Sequence, residues 1–171
     1  AGSDWNQDEY ENYVNQSKKK LSLMQKKPMK VDTGEYRTWF EAAAVADFLG
    51  MFSWNGISEA SLRQGCSGFG KMRNEDARLS SKFSIIEDFS PGFCPKFNSN
   101  GEVSPDSISL IENGMLKNTL VSSRTAKEYG VTSNFAEGGE YLRSPRMSPG
   151  KLNQENVIEE LDRGLYLSNI H

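Results

Sequence analysis

Histidine is all but missing from these 171 residues: the one imidazole is His171, at the end of the chain. Neither serine nor cysteine has an imidazole base within the sequence unless that terminus folds back, so nucleophilic triads fail on inventory. Cysteine is almost as scarce. Cys66 and Cys94 lie far apart, read as ordinary buried or half-buried thiols, and with one histidine and no ligand pair at i and i+4 they make a poor metal site. No catalytic and no metal-binding residue is expected in this chain. Apolar residues make up 36%, below the usual ~45–50%, a norm that also counts glycine. No apolar run approaches the ~20 residues that a bilayer span needs, so no membrane partner is expected. Positive charge in excess is missing too: 20 Lys and Arg face 23 Asp and Glu, a net charge of −3, which leaves nothing to neutralise phosphates and disfavours nucleic acid. With two cysteines and no secretory segment, a cytoplasmic setting is expected. An initiator methionine is also lacking, and the chain is read as a piece of a longer protein with surfaces that belong against the remainder.

What is present is organised around residues 107–130. Two β-prone runs flank Asn113-Gly114, the pair that best tolerates φ > 0 at both central positions of a type I′ turn, which predicts a tight hairpin. Glu112 then faces Met115, Ile111 faces Leu116 and Ile108 faces Thr119, with apolar side chains on both faces, so the hairpin expects cover on both sides. Ser122-Ser123 can cap a short helix over 124–129 that stops at Gly130, where a left-handed residue is wanted.

Upstream, Asp4 is the expected cap of a helix, with Gln7 as capping-box partner. Tyr10, Tyr13, Val14, Leu21 and Met24 form its apolar stripe, and Pro28 closes it. Its lysines read as a solvated face, since the whole chain is acidic. The predicted organisation is a helical arm over 1–28, a linker over 29–34 and one domain over 35–171. That domain opens with an aromatic strand (35–40), an apolar helix (41–52) and a short helix begun by Ser58 (58–62). Residues 65–81 read as a loop, 82–89 as a strand, 93–105 as turns and 131–150 as a second irregular stretch; loops of such length are usually functional or mobile. Asn153 is the expected cap of a helix over 153–163, and a strand closes the chain.

Two local patterns tempt a chemical reading. Residues 65–71 have the glycine and lysine spacing of a phosphate loop, but Met72 stands where the magnesium-holding hydroxyl belongs and no strand precedes, so a flexible glycine loop is the better reading. Glu87 and Asp88, adjacent on a strand, point to opposite faces and are no acid/base pair; a solvated edge and a turn partner account for them.

Leu110-Ile111-Glu112-Asn113-Gly114 with Leu116 and Lys117, then Ser123, Thr125, Ala126, Lys127 and Gly130, resembles the central part of the TldD/PmbA family, the modulators of DNA gyrase. Gly101-Glu102-Val103 and Leu161-Asp162-Arg163-Gly164-Leu165-Tyr166 extend the likeness, which runs in order from about Gly34 to His171. The resemblance implies a zinc peptidase system in which catalytic members carry His-Glu-x-x-x-His on a helix. The matching helix here, 41–52, holds no histidine, and Cys66 and Cys94 do not match the family's third, cysteine ligand. The chain therefore looks like the PmbA/TldE branch.

The fold expected is α+β, antiparallel hairpins covered by the 41–52 and 153–163 helices and preceded by the helical arm. The function that the resemblance implies is that of a non-catalytic subunit. It would pair with a TldD-like catalytic subunit as a heterodimer, or self-associate, and act on small or unfolded peptides such as microcin precursors and antitoxins. No cofactor is expected in this chain; zinc would sit in the sister subunit. Ser67, Gly68, Gly70 and Lys71 in one loop, and Asn134 and Arg143 in the other, are the candidate peptide-binding residues. A module that binds polypeptides by adding them to an open strand edge is the alternative; an independent hydrolase would need a base that the inventory does not offer.

Overall fold

Two units divide the chain, 1–35 and 36–171, and the computed structural model describes residues 5–153 and 156–170. The first unit contains helix α1 (Gln7–Met24), capped by Asn6, whose side chain accepts from the Glu9 amide at 3.1 Å. Asp4, the cap expected from sequence, lies outside the described residues. The helix ends at Met24, ahead of Pro28, and buries none of its residues; Leu21 and Met24 of the apolar stripe are exposed.

In the second unit the elements follow in the order β1 (Thr38–Phe40), α2 (Ala42–Phe52), α3 (Glu59–Arg63), α4 (Gly70–Asn74), β2 (Ile85–Asp88), β3 (Ser107–Glu112), β4 (Met115–Leu116), α5 (Ser123–Tyr129), β5 (Pro145–Met147), α6 (Val157–Leu161) and β6 (Leu165–Leu167). The fold is α+β: an antiparallel sheet in the order β4-β3-β2-β5, and a separate parallel pair β1-β6. The hairpin forms as its turn residues dictate, with φ of 50° at Asn113 and 78° at Gly114, and with Ile111 opposite Leu116 and Glu112 opposite Met115. Leu110 and Ile111, adjacent and on opposite faces, are both at 0% exposure, each contributing roughly 1.5–3 kcal/mol by leaving water. One face meets α2 through Leu49 and Phe52, where Phe48, Phe52, Phe69 and Phe83 pack ring to ring at 5.3–6.1 Å.

Caps place the short helices. Ser58 accepts from the Ser61 amide at 3.1 Å to start α3, Ser122 accepts from Thr125 at 3.2 Å to start α5, and Gly130, at φ 67°, ends α5 in the left-handed conformation.

Several expectations are corrected. Ile108 and Thr119 do not face each other, because the chain leaves the sheet after Leu116: the Lys117 and Asn118 amides both turn to the Leu110 carbonyl, and Leu120 runs parallel to Ser58. The Thr119 hydroxyl is drawn instead to the Glu59 carboxylate, at 2.5 Å. The 65–81 loop contains α4, held where Arg73 reaches Glu59, and the 131–150 stretch contributes β5 to the sheet. The last helix is described over Val157–Leu161, preceded by Asn156 with no side-chain cap; residues 154 and 155, which follow the expected cap Asn153, lie outside the described residues. The helix lies against β1 instead of covering the hairpin, and the final strand joins β1 as a parallel pair beside the antiparallel sheet.

Candidate functional site

Four buried carboxylates tie the long loops to the framework. Glu140, at 2% exposure, accepts from the Ser58 hydroxyl (2.6 Å) and the Ala60 amide (2.9 Å) with Oε2, and from the Ser122 amide (2.9 Å) with Oε1. It thereby draws the first turns of α3 and α5 to one point, where two helix N-termini favour negative charge. Burial pushes its carboxyl upward, but the Ser122, Ser58, Thr125 and Ala60 donors outweigh burial and hold it below the ordinary value.

Glu59, at 4% exposure, is gripped by Nη1 and Nη2 of Arg73 (3.0 and 2.5 Å), by Arg63 Nε (2.8 Å) and by the Thr119 hydroxyl. Burial raises its pKa, yet the bonds from Arg73, Thr119 and Arg63 prevail and set it at about 2, against 4.5 for an unperturbed glutamate. A depressed folded pKa stabilises the folded state above the unfolded value. That share of stability is therefore expected to be full above pH 4.5 and to drain away as the pH falls toward about 2. Unfolding by urea along a pH series should lose this acid-side slope in Glu59→Gln; an unchanged slope would refute the assignment.

Glu87 and Asp88 do not sit at a solvated edge: their exposures are 1% and 6%. Glu87 turns inward and accepts from the Arg143 and Ser144 amides at 3.0–3.2 Å, which docks the 131–150 loop onto β2. Burial is the larger influence here and pushes its carboxyl up. Asp88, held low by Ser90 and Arg146, accepts from Ser90 at 2.6 Å and from Arg146 at 2.9 Å. β2 is an inner strand with β3 on one side and β5 on the other, which leaves no open edge at either carboxylate.

The six candidate residues fall into two separate settings. Ser67 donates to the Gly56 carbonyl at 2.6 Å and accepts from the Phe69 amide at 3.0 Å, closing a turn, while Gly70 and the exposed Lys71 begin α4 and Gly68 is exposed between them. The phosphate-like stretch follows a helix, α3, not a strand, and Cys66 there is exposed, contrary to expectation, whereas Cys94 is half-buried. Asn134 and Arg143 are gathered around Phe135. The Asn134 side chain accepts from the Val121 amide and donates to the Thr119 carbonyl, both at 2.7 Å, and it lines a cleft of about 530 Å³ with Glu102, Ser107, Ile108 and Phe135. The Arg143 guanidinium lies 4.6 Å from the Phe135 ring centre, with Nη1 3.6 Å from Glu137. Among the described residues no hydrogen bond or ion pair joins the two settings. The anchoring acids were missed by the sequence reading, for nothing around Glu140 beyond the Gly138-Gly139 pair marks a carboxylate that will meet α3 and α5.

A second cleft, of about 460 Å³, runs between α2 and β5 and is lined mainly by Val45, Ala46, Leu49, Leu142 and Met147. The polar inventory of α2 is one carboxylate, Asp47, which accepts from the Ile170 amide at 2.9 Å. Among the described residues no three His, Cys, Asp or Glu side chains gather as a metal-binding group. This donor set does not fit a zinc site. No described helix is long and apolar enough to cross a membrane.

Comparison with known proteins gives the framework its relatives. The four-stranded sheet with its helices is similar to a candidate modulator of a DNA gyrase from Thermotoga maritima, with a TM-score of 0.63 and 21% identity over 84% of this chain and 34% of that one. A candidate modulator of DNA gyrase from Bacteroides thetaiotaomicron gives 0.71 and 18% over 91% and 35%. TldE from Thermococcus kodakarensis gives 0.59 and 21% over 78% and 32%. At these identities the likeness is one of fold, and the chain spans about a third of the length of each of these structures. No curated protein matches it by sequence. Residues 33–171 match the PmbA/TldA metallopeptidase C-terminal domain, and on that match the chain belongs to the PmbA/TldD family.

Proposed function

We propose that this chain acts as a non-catalytic, PmbA/TldE-like subunit of a zinc peptidase complex that processes small or unfolded peptides, of the microcin-precursor or antitoxin kind, in the cytoplasm. The observation that carries the reading is α2. In a family described as metallopeptidase, the helix that the resemblance pairs with the zinc-binding helix runs Ala-Ala-Ala-Val-Ala-Asp-Phe-Leu-Gly-Met-Phe, without a histidine or cysteine. Its apolar side chains serve the core at Leu49 and Phe52 and line the cleft beside β5 at Val45 and Ala46. The chain's part in proteolysis is then to enclose and hold peptide, and zinc belongs to a TldD-like sister subunit.

The test is to isolate the protein with its partners from its own cells, then assay zinc and peptide cleavage. The expected outcome is a stoichiometric partner bearing His-Glu-x-x-x-His, with cleavage abolished by a chelator. Recovery of the protein alone, without zinc and without activity, would sink the subunit reading in favour of a polypeptide-binding module. One observation favours that second reading: among the described strands β5 pairs with β2 alone, which leaves its outer side for an added strand. Stoichiometric zinc on the lone chain would mean that the ligands lie elsewhere in it.

A further inference from the structure

A cleft of about 650 Å³ lies where the end of β5 approaches the start of β1 and α6. Its wall carries three cations, Arg37, Lys82 and Lys151, all exposed, against one carboxylate, Glu160. Phe83, Met147 and Leu152 add an apolar surface. The Arg37 guanidinium is steadied by donating through Nη1 to the Glu160 main-chain carbonyl at 2.9 Å, which leaves the charge of that carboxylate unspent on it. Lys82 and Lys151 form no ion pair among the described residues. Three cations around one concavity are out of keeping with a chain whose net charge is −3. Together they give this wall a local excess of positive charge, which favours a ligand that brings negative charge.

We infer that this cleft binds an acidic stretch of polypeptide, its carboxylates meeting Arg37, Lys82 and Lys151 and an apolar side chain lying against Phe83, Met147 and Leu152. An extended peptide suits the site better than a compact anion. The wall from Met147 to Leu152 continues directly from β5, which among the described strands pairs with β2 alone, so main-chain pairing and side-chain recognition adjoin. The mixture of apolar surface and spaced cations also asks for spaced charges, not one concentrated charge. This inference rests on the peptide-holding role proposed above and adds to it a preference in charge.

The test uses this chain alone and a fluorescein-labelled peptide of alternating leucine and glutamate, followed by anisotropy at low salt, beside the same peptide with glutamine in place of glutamate. The acidic peptide is expected to bind at least about 5-fold more tightly, and Lys82→Ala/Lys151→Ala to weaken it by about 3- to 10-fold, as for two exposed ion pairs. The preference should fade at high salt. Glu160→Gln, which removes the opposing charge at an exposed site, should tighten binding by about 2-fold. Equal binding of both peptides, indifference to the lysine substitutions, or displacement of the peptide by inorganic phosphate at equal concentration would each overturn the assignment. Since no sister subunit enters this assay, acidic-peptide binding without a copurifying peptidase removes only the subunit reading, and a copurifying peptidase without charge preference removes only this one.

Discussion

Glu140→Ala is expected to lower the unfolding free energy by about 4 kcal/mol, because a buried charged acceptor is removed and its donors are left without a partner. The Ser58 hydroxyl and the Ala60 and Ser122 amides all spend a bond on this one carboxylate. In its absence α3 and α5 lose their common anchor, and the loop that carries Asn134 and Arg143 loses its fastening to both. Glu140→Gln keeps the volume and one acceptor oxygen but turns an amide NH2 toward other donors, so a loss of about 2 kcal/mol is expected. Urea unfolding at neutral pH measures both. A change below about 1 kcal/mol for the alanine variant would show that the helices hold their places without it. The depressed carboxyl adds a pH signature: its stabilisation is present above the unfolded glutamate value of 4.5 and is lost as the pH falls through the lower folded value, and both variants should lack that portion.

Gly114→Ala is expected to cost about the same, roughly 4 kcal/mol, for a steric reason. A Cβ at Gly114 would stand 2.2 Å from the Leu79 carbonyl oxygen and 2.8 Å from that of Ser80, both main-chain atoms. That segment cannot simply retreat, since the Leu79 amide donates to the Gly114 carbonyl at 2.9 Å and the Gly114 amide donates to the Phe83 carbonyl at 2.8 Å. Gly130→Ala is the control: φ is similarly positive, at 67°, but nothing lies within 4 Å of the added methyl. There the left-handed conformation alone should cost about 1 kcal/mol. Equal losses for the two variants in urea unfolding would mean that the close approach of residues 79 and 80 to the turn does not constrain it.

Gly114 also marks how far local sequence reached. Asn113-Gly114 announces a turn with two positive φ values whatever surrounds it, and the structure has them at 50° and 78°. What made the glycine indispensable was the passage of residues 79 and 80 across that turn, which no turn signal encodes. Ser58, Ser122 and Gly130 were legible for the same local reason: a cap is decided by a side chain and an amide three positions on, or by one residue's φ. The apolar character of α2 and its lack of histidine needed no structure either, and the ordered motifs around the hairpin sufficed to point to the family.

Other features were settled only by tertiary structure. Thr119 left its expected place opposite Ile108 because Glu59, far away in sequence, offered its hydroxyl a buried carboxylate. Glu87 read as a solvated residue because a strand pattern reports which face a side chain takes, not that the amides of Arg143 and Ser144 will arrive there to accept its burial. The parallel pairing of β1 with β6 and the convergence of Arg37, Lys82 and Lys151 on one cleft join segments from opposite ends of the domain. By itself the sequence determined the turns, the caps, the apolar faces and the inventory of chemical groups, since each depends on backbone preference or neighbours within a few positions. Which carboxylate is buried, which donors meet it and which cations share a cavity were decided by the packing of distant segments, because the free energy of a charge is set by what surrounds it in space.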